Sequence, residues 1–475
     1  MKAPRIMIAA GKSGSGKTMI TCGILRALQK LGKTPVAFKC GPDYIDPMFH
    51  ERVVKTSSRN LDPYFTDEEM TRYLFGEGSK EGDLSVFEGV MGYYDGLGGI
   101  STKGSAYDLA RTTKTPVILV VDARGMSVSA LAWIRGIMEY RKDSQIAGVI
   151  FNRMSKMLYQ ELSLLTEQEL GIACIGYVPE IPEGHLESRH LGLVLPDEVQ
   201  NLSGQVDHLA EVLLESLDFE KLLDIAYASE DLTCDEPEDL KEILNSKTAE
   251  EIRRAKPVIA VAKDEAFCFI YRDNLNLLSR LGAELIPFSP LHDRKLPENV
   301  DGLLLYGGYP ELYARELSEN KEMRDSVRNA LQNGISCLAE CGGYMYLSES
   351  LEDMHGNSYE MAGAVKGNVY RTEHLRRFGY IELTADKEDV LGSNCGPIRS
   401  HEFHYFDSTD CGNSFHAVKP LRKRSWDCIH ATKNMIAGFP HLYYYACPKL
   451  ALEFLKTCVK GRESGQKNWK KEEPV

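Results

Sequence analysis

Two short segments of this 475-residue chain carry residue types and spacings suited to chemistry, and they lie far apart. In Leu338-Ala-Glu-Cys-Gly-Gly-Tyr344 a cysteine, Cys341, follows a short apolar run, Ile335 to Ala339, of strand type. Two glycines and a helix-like stretch come next. A strand, a sharp turn bearing a nucleophile and a helix form the layout of a nucleophile elbow. The turn lifts the thiol clear of the sheet, and the positive end of the following helix is expected to lower its pKa and favour the thiolate. The competing reading is a buried structural cysteine, the commonest state of a free Cys. Near the N-terminus, Gly11-Lys-Ser-Gly-Ser-Gly-Lys-Thr18 matches G-x-x-x-x-G-K-[ST] at every fixed position. The apolar run Ile6 to Ala10 precedes it as a buried strand, and Met19 to Leu31 follows as a helix. That is the context of a P-loop. The backbone of Gly11, Ser13, Gly14, Ser15 and Gly16 would cradle the phosphates of ATP, Lys17 would reach the terminal ones, and the Thr18 hydroxyl would ligate Mg²⁺.

Acidic residues sit where further strands of this half should end. Asp43 and Asp46 lie in Lys39-Cys-Gly-Pro-Asp-Tyr-Ile-Asp-Pro47, and Glu88 and Asp95 in Phe87-Glu-Gly-Val-Met-Gly-Tyr-Tyr-Asp-Gly96. In open parallel sheets ligands bind beyond the carboxyl ends of strands. Carboxylates there suit Mg²⁺, a hard cation that takes oxygen ligands. Asp43 and Glu88 are therefore expected as metal ligands with Thr18, and Tyr44, Asp46 and Asp95 as substrate contacts. The plainer alternative is that Asp-Pro and Glu-Gly punctuate turns.

These residues need a scaffold, and the apolar runs supply one. Val36 to Cys40, Leu84 to Glu88, Val117 to Val121, Ile146 to Phe151 and Ile172 to Val178 read as buried strands separated by crossover lengths of chain. That rhythm implies an α/β fold, a doubly wound parallel sheet covered on both faces. From 229 to 256 the composition turns to Glu, Asp and Lys without a strand signal, which places an acidic linker there. Alternation then resumes with Val258 to Ala262, Glu284 to Phe288, Gly302 to Tyr306 and Ile335 to Ala339. The expected division is 1–228, a linker at 229–256, 257–460, and a charged disordered tail over 461–475. A net charge of −13 disfavours nucleic acid and anionic membranes as partners. The N-terminal apolar run is too short for a signal peptide, and other apolar runs are far below a membrane span. Twelve scattered cysteines with no C-x-x-C pair point to reduced thiols in the cytoplasm.

Longer stretches spell a family. Phe38-Lys-Cys-Gly-Pro-Asp-Tyr-Ile-Asp-Pro47, Glu88-Gly-Val-Met-Gly-Tyr-Tyr-Asp-Gly96 and Arg189-His-Leu-Gly192 do so in the first half. Gly307-Gly-Tyr-Pro-Glu-Leu312, Ala339-Glu-Cys-Gly-Gly-Tyr-Met-Tyr-Leu347 and His401-Glu-Phe-His-Tyr405 do so in the second. With them the chain resembles the cobyrinic acid a,c-diamide synthases, glutamine-dependent amidotransferases of corrinoid biosynthesis. The resemblance implies a dethiobiotin-synthetase-like ATPase domain followed by a class I glutamine amidotransferase domain. It also implies ATP-driven amidation of the a and c acetates of cobyrinic acid.

Elementary chemistry agrees. A carboxylate does not condense with ammonia at neutral pH, so phosphoryl transfer from ATP to give an acyl phosphate is needed. Attack of the Cys341 thiolate on glutamine would release the ammonia. Gly342 and Gly308, in Tyr306-Gly-Gly-Tyr-Pro310, are candidate oxyanion donors, each worth roughly 3 to 4 kcal/mol. His441, in Ile436-Ala-Gly-Phe-Pro-His-Leu-Tyr443, occupies the place of the family's catalytic histidine, although packing within its aromatic cluster is an alternative. Two residues on, where the family carries histidine and other class I enzymes glutamate, stands Tyr443, so a Cys341–His441 dyad is the expectation. Glu340 reads as structural. His401 and His404, three apart on an extended segment, point to opposite faces and do not suggest a metal. Lys12 occupies the position of the extra lysine that reaches across a dimer in partition-type ATPases, which leaves a homodimer open. Two other readings remain: the same amidation on hydrogenobyrinic acid or nickel sirohydrochlorin, and a non-enzymatic partition-type switch.

Overall fold

The computed structural model describes residues 2–181 and 196–463. The Arg189–Gly192 segment and the tail from 464 onward lie outside the described residues. The chain divides into two compact units, Met1–Pro237 and Glu238–Val475.

In the first unit the strands are β1 (Arg5–Ala10), β2 (Pro35–Cys40), β3 (Ser58–Leu61), β4 (Leu84–Glu88), β5 (Val117–Asp122), β6 (Ile146–Asn152) and β7 (Ala173–Val178). Among the described residues they form one sheet in the order β3-β2-β4-β1-β5-β6-β7, parallel throughout. The chain leaves β1 toward β2 on one side and returns to β5 on the other, so the order reverses around β1. Such switch points open the crevice in which α/β sheets bind ligands. Every residue of β1, β2 and β4 is buried, as parallel strands covered on both faces must be. Helix Lys17–Lys30 packs Ile20, Ile24, Leu25 and Leu28 onto Ile6 and Ile8, and helix Pro196–Ser216 adds Leu209 and Leu213.

In the second unit, β8 (Val258–Ala262), β9 (Glu284–Phe288), β10 (Gly302–Leu305), β11 (Ser336–Glu340), β20 (His430–Ala431) and β21 (Met435–Gly438) form a central sheet. Its order is β20-β21-β11-β10-β8-β9, with only β20 antiparallel. The intervening chain builds two further sheets among the described residues. One contains β12 (Ser350–Glu352), β13 (Ser358–Glu360), β14 (Asn368–Arg371) and β17 (Phe406–Ser408). The other contains β15 (Phe378–Ala385), β16 (Ile398–Phe403), β18 (Phe415–Val418), β19 (Ser425–Cys428) and β22 (His441–Leu442).

The stretch 229–256, expected as a linker, is folded over most of its length. Ser229 Oγ donates to Arg5 O at 3.0 Å and Arg5 donates to Glu230 O at 2.7 Å. Helices Glu238–Leu244 and Lys247–Ala255 follow, with Leu240, Ala249 and Ile252 buried and the second helix against Pro448–Glu463. An apolar stripe at helical spacing was hidden within the charge-rich composition. Helix Pro448–Glu463 also runs through Gly461, where the tail was expected to begin.

Candidate active sites

The P-loop turns from β1 into helix Lys17–Lys30 through Gly16, at φ 89° and ψ 18°. A side chain there would be strained, and its Cβ would lie 2.4 Å from Asn152 Nδ2. Asn152, at the end of β6, donates to Ser15 O at 2.8 Å, and Arg153 donates to Gly14 O at 3.0 Å while pairing with Asp122 at 2.9 Å. Ser15 Oγ donates to Lys12 O at 3.0 Å; the Lys12 side chain is exposed. The loop is thus braced from β5 and β6.

Behind it lies a buried charged cluster. Thr18 Oγ1 donates to Glu88 Oε1 at 2.6 Å, and Lys39 Nζ donates to the same oxygen at 2.9 Å. Lys39 also contacts Asp46 and stands 3.8 Å from Asp43 Oδ2. His50 Nε2 is 3.1 Å from Glu88 Oε2. Burial acts against the charge on Lys39, but the attraction of Asp46 and Glu88 holds its pKa well above the ordinary value. Burial likewise opposes ionisation of Glu88, and Lys39 and His50 overcome it, so the carboxyl stays well below its usual range. Burial, then repulsion from Glu88, pushes Asp46 up. Lys17 donates to Met91 O at 2.5 Å and is brought down to about 8 by burial and then by Lys39. Asp95 accepts from Gly92 N at 3.0 Å and adds to the field on Lys17.

Asp43, Tyr44, Asp46, Glu88 and Asp95 therefore gather with the P-loop at the carboxyl ends of β1, β2 and β4. Asp43 precedes the short helix Ile45–Phe49 and accepts from Ile45 N at 2.8 Å, and Tyr44 is buried beside it. Glu88 is 0% exposed and meets Lys39 and His50 in the interior. The hydroxyl of Thr18 and the carboxylates of Glu88 and Asp43 are a donor set that suits a hard divalent cation. Sequence reasoning missed Lys39, His50, Asn152 and Arg153. A lysine inside the apolar run Val36 to Cys40 was the available signal for the first; His50, Asn152 and Arg153 carried none.

The thiol site lies in the second unit. Cys341 takes φ 46° and ψ −104° between β11 and helix Gly342–Leu347, a conformation costly for a residue with a Cβ. Its N–H donates to Gly438 O at 2.8 Å and its carbonyl accepts from Met345 N at 2.9 Å. The helix presses so closely on β10 that a Cβ at Gly343 would fall 1.9 Å from Leu305 O. A Cβ at Gly342 would lie 3.1 Å from Gly308 N, so these two glycines adjoin beside the thiol. The helix end was expected to lower the thiol pKa. Burial instead pushes it well up, with the carboxyl of Glu311 adding and the N–H of Gly342 opposing. Removing a charge from water outweighs the partial charge of so short a helix.

His441, on β22, is 1% exposed, and its Cε1 would sit 2.7 Å from a Cβ at Gly307. Burial, then His404, brings it down to about 3. Its ring stacks on that of His401 across the β16–β22 pair, with centroids 4.8 Å apart and planes at 18°. Its Nδ1 is 3.9 Å from Glu340 Oε2. Tyr443 turns elsewhere and donates to Asp273 Oδ2 at 3.2 Å. His404 lies 2.9 Å from Glu402 Oε2 and stacks on Phe439, so it and His401 serve packing and polar contacts.

Residues 6–193 match the family model of the CobQ/CobB/MinD/ParA nucleotide binding domain, and residues 258–446 that of the CobB/CobQ-like glutamine amidotransferase domain. Across the whole length, the cobyrinate a,c-diamide synthase of Caldanaerobacter subterraneus subsp. tengcongensis is 39% identical over 455 residues, 95% of this chain and 98% of that protein. The chain belongs to the cobyrinate a,c-diamide synthase family. The relative from Clostridium acetobutylicum is 39% identical over 461 residues, 96% of this chain and 99% of its own, and that from Listeria innocua is 38% identical over 460, 94% and 98%. As a member of this family the chain is an enzyme, a glutamine-dependent ligase with a nucleotide-binding domain. Among its described residues no helix is long and apolar enough to cross a membrane.

Proposed function

We propose that this enzyme amidates the a and c acetate carboxylates of cobyrinic acid, using ATP to form an acyl phosphate and ammonia freed from glutamine by Cys341 and His441. The observation that carries the reading is the left-handed Cys341 turn, φ 46°, beside the adjoining Gly342 and Gly308 backbones. A strained nucleophile next to paired amides suits a tetrahedral oxyanion. In the first unit, Lys17 and the P-loop amides hold the phosphates, and Thr18, Glu88 and Asp43 are the residues that would hold Mg²⁺. Bound there, the metal supplies positive charge for the phosphate oxygens. Tyr44, Asp46 and Asp95 line the same strand ends and are assigned to substrate binding. Lys39 keeps Glu88 ionised.

In the second unit His441 takes the thiol proton, the thiolate attacks the amide carbon, and the C–N bond breaks as ammonia leaves with that proton. Water then cleaves the thioester. The test is a product assay with cobyrinic acid, its metal-free analogue and nickel sirohydrochlorin, each with ATP and glutamine. The expected result is a diamide from cobyrinic acid at the highest kcat/KM. Turnover confined to another tetrapyrrole overturns the substrate, and no glutaminase activity at all overturns the enzyme chemistry.

A further inference from the structure

Thiol-to-histidine proton transfer creates an imidazolium, and His441 is 1% exposed. In so dry a site a bare imidazolium is costly, and a carboxylate facing the opposite ring nitrogen both stabilises the charge and holds the ring. Tyr443 carries no such charge and is engaged by Asp273. Among the described residues, Asp273, Glu402 and Glu340 are buried carboxyl groups in this neighbourhood. Asp273 accepts from Tyr443, and both oxygens of Glu402 are taken, by Trp426 Nε1 at 3.2 Å and by His404 Nε2 at 2.9 Å. Glu340 differs. Its Oε2 accepts from Leu442 N at 3.1 Å and stands 3.9 Å from His441 Nδ1, while its Oε1 has no hydrogen-bond partner. The backbone holds this arrangement rigidly, because Glu340 on β11 pairs with Gly438 on β21, three residues before His441.

We propose that Glu340, the residue preceding the nucleophile, is the positioning residue for His441, its carboxylate accepting a hydrogen bond from Nδ1–H so that Nε2 presents its lone pair to the Cys341 thiol. The inference rests on the glutaminase reading above. The remaining 3.9 Å is a separation that catalytic hydrogen bonds close when substrate fills a site. Burial acts against charge on both groups, pushing the Glu340 carboxyl up to about 8 and, with His404, His441 down to about 3, so the reactive form is the minority one in which Glu340 is already ionised and His441 carries its single proton on Nδ1. The proton balance is simple. The thiol proton moves to Nε2, the Nδ1 proton stays between ring and carboxylate, and the Nε2 proton leaves with ammonia.

The experiment uses the full chain and three variants. Glu340→Gln keeps an oxygen acceptor for Leu442 N–H but removes the charge. It is expected to lower the glutaminase kcat by roughly 100-fold, leave the KM for glutamine within about threefold, and slow alkylation of Cys341 by iodoacetamide. Ammonia-supported amidation should stay at the wild-type rate. Glu340→Asp retains a carboxylate with shorter reach and is expected to recover about tenfold of that loss; it also carries the test should the glutamine variant fail to fold. A wild-type kcat in Glu340→Gln, a loss confined to KM, or an aspartate variant no better than glutamine overturns the inference. Cys341→Ala separates the two readings. Glutamine use surviving in that variant overturns the glutaminase itself, whereas a dead Cys341→Ala beside a fully active Glu340→Gln overturns only the role of Glu340.

Discussion

Around the P-loop, Lys39 and Glu88 meet as a buried ion pair with Asp46 and His50 against them, whereas around Cys341 the thiol, His441 and Glu340 are all driven by burial toward their neutral forms. The first site belongs to the nucleotide-binding domain, where the phosphates of a nucleotide must be met by fixed charges and backbone amides. Lys39 and Thr18, both on Glu88 Oε1, keep that carboxylate ionised and in place. The second site takes an uncharged amide. There burial holds the Cys341 thiol in its neutral form. Burial is common to both; what differs is whether a fixed counter-charge accompanies it.

The sharpest way to separate the sites is to disable each nucleophile or phosphate ligand alone. Cys341→Ala is expected to depress glutamine-supported amidation by about 10⁴-fold or more, while amidation at high ammonium persists; His441→Ala should approach the same background. Product formation with each nitrogen source measures both. Lys17→Ala is expected to abolish amidation from glutamine and ammonia alike, by roughly 10³-fold, with glutamine hydrolysis retained. Retained ammonia-dependent synthesis would put activation somewhere other than the P-loop.

Glu88→Gln tests the matched charges directly. Removing one partner of a buried ion pair costs about 3–5 kcal/mol, so a drop in Tm should accompany the loss of amidation, whereas the more exposed Asp43→Asn should lose rate with little change in Tm. The sign of the pH effect follows. A carboxyl held below its unfolded value of 4.5 contributes stability that is fully present above that value and fades as pH falls toward the folded pKa. The acid limb of the stability profile should therefore flatten in Glu88→Gln. Lys17, brought down to about 8, loses its proton as pH rises past that value, so ATP affinity of the free enzyme should weaken above about pH 8; calorimetric titration across pH 7 to 9.5 checks this. The smallest effect is expected from Tyr443→Phe. It removes one hydrogen bond to Asp273, worth about 1 kcal/mol, and should cost the glutaminase less than tenfold. A loss as deep as that of His441→Ala would make the tyrosine a catalytic member.

Local pattern determined much of this protein. Buried parallel strands are continuous apolar runs, so β1, β2, β4, β5, β6, β7 and β8–β11 were legible to within a residue or two. The P-loop and the elbow were legible because turn, glycines and nucleophile lie within a few residues. The edge strand Ser58-Arg-Asn-Leu61 was not, having one apolar residue in four, nor were β12–β22, most of them two to four residues long. Half-exposed strands of three or four residues give too brief an alternation to detect. Tertiary structure alone decided which charges meet. Glu88 reaches Lys39 through the β2–β4 pairing, and Glu340 reaches His441 through β11 and β21, about a hundred residues apart in the chain. It alone also reversed the expected direction of the thiol pKa, because a helix end is written in local sequence, whereas desolvation sums over every neighbour that excludes water.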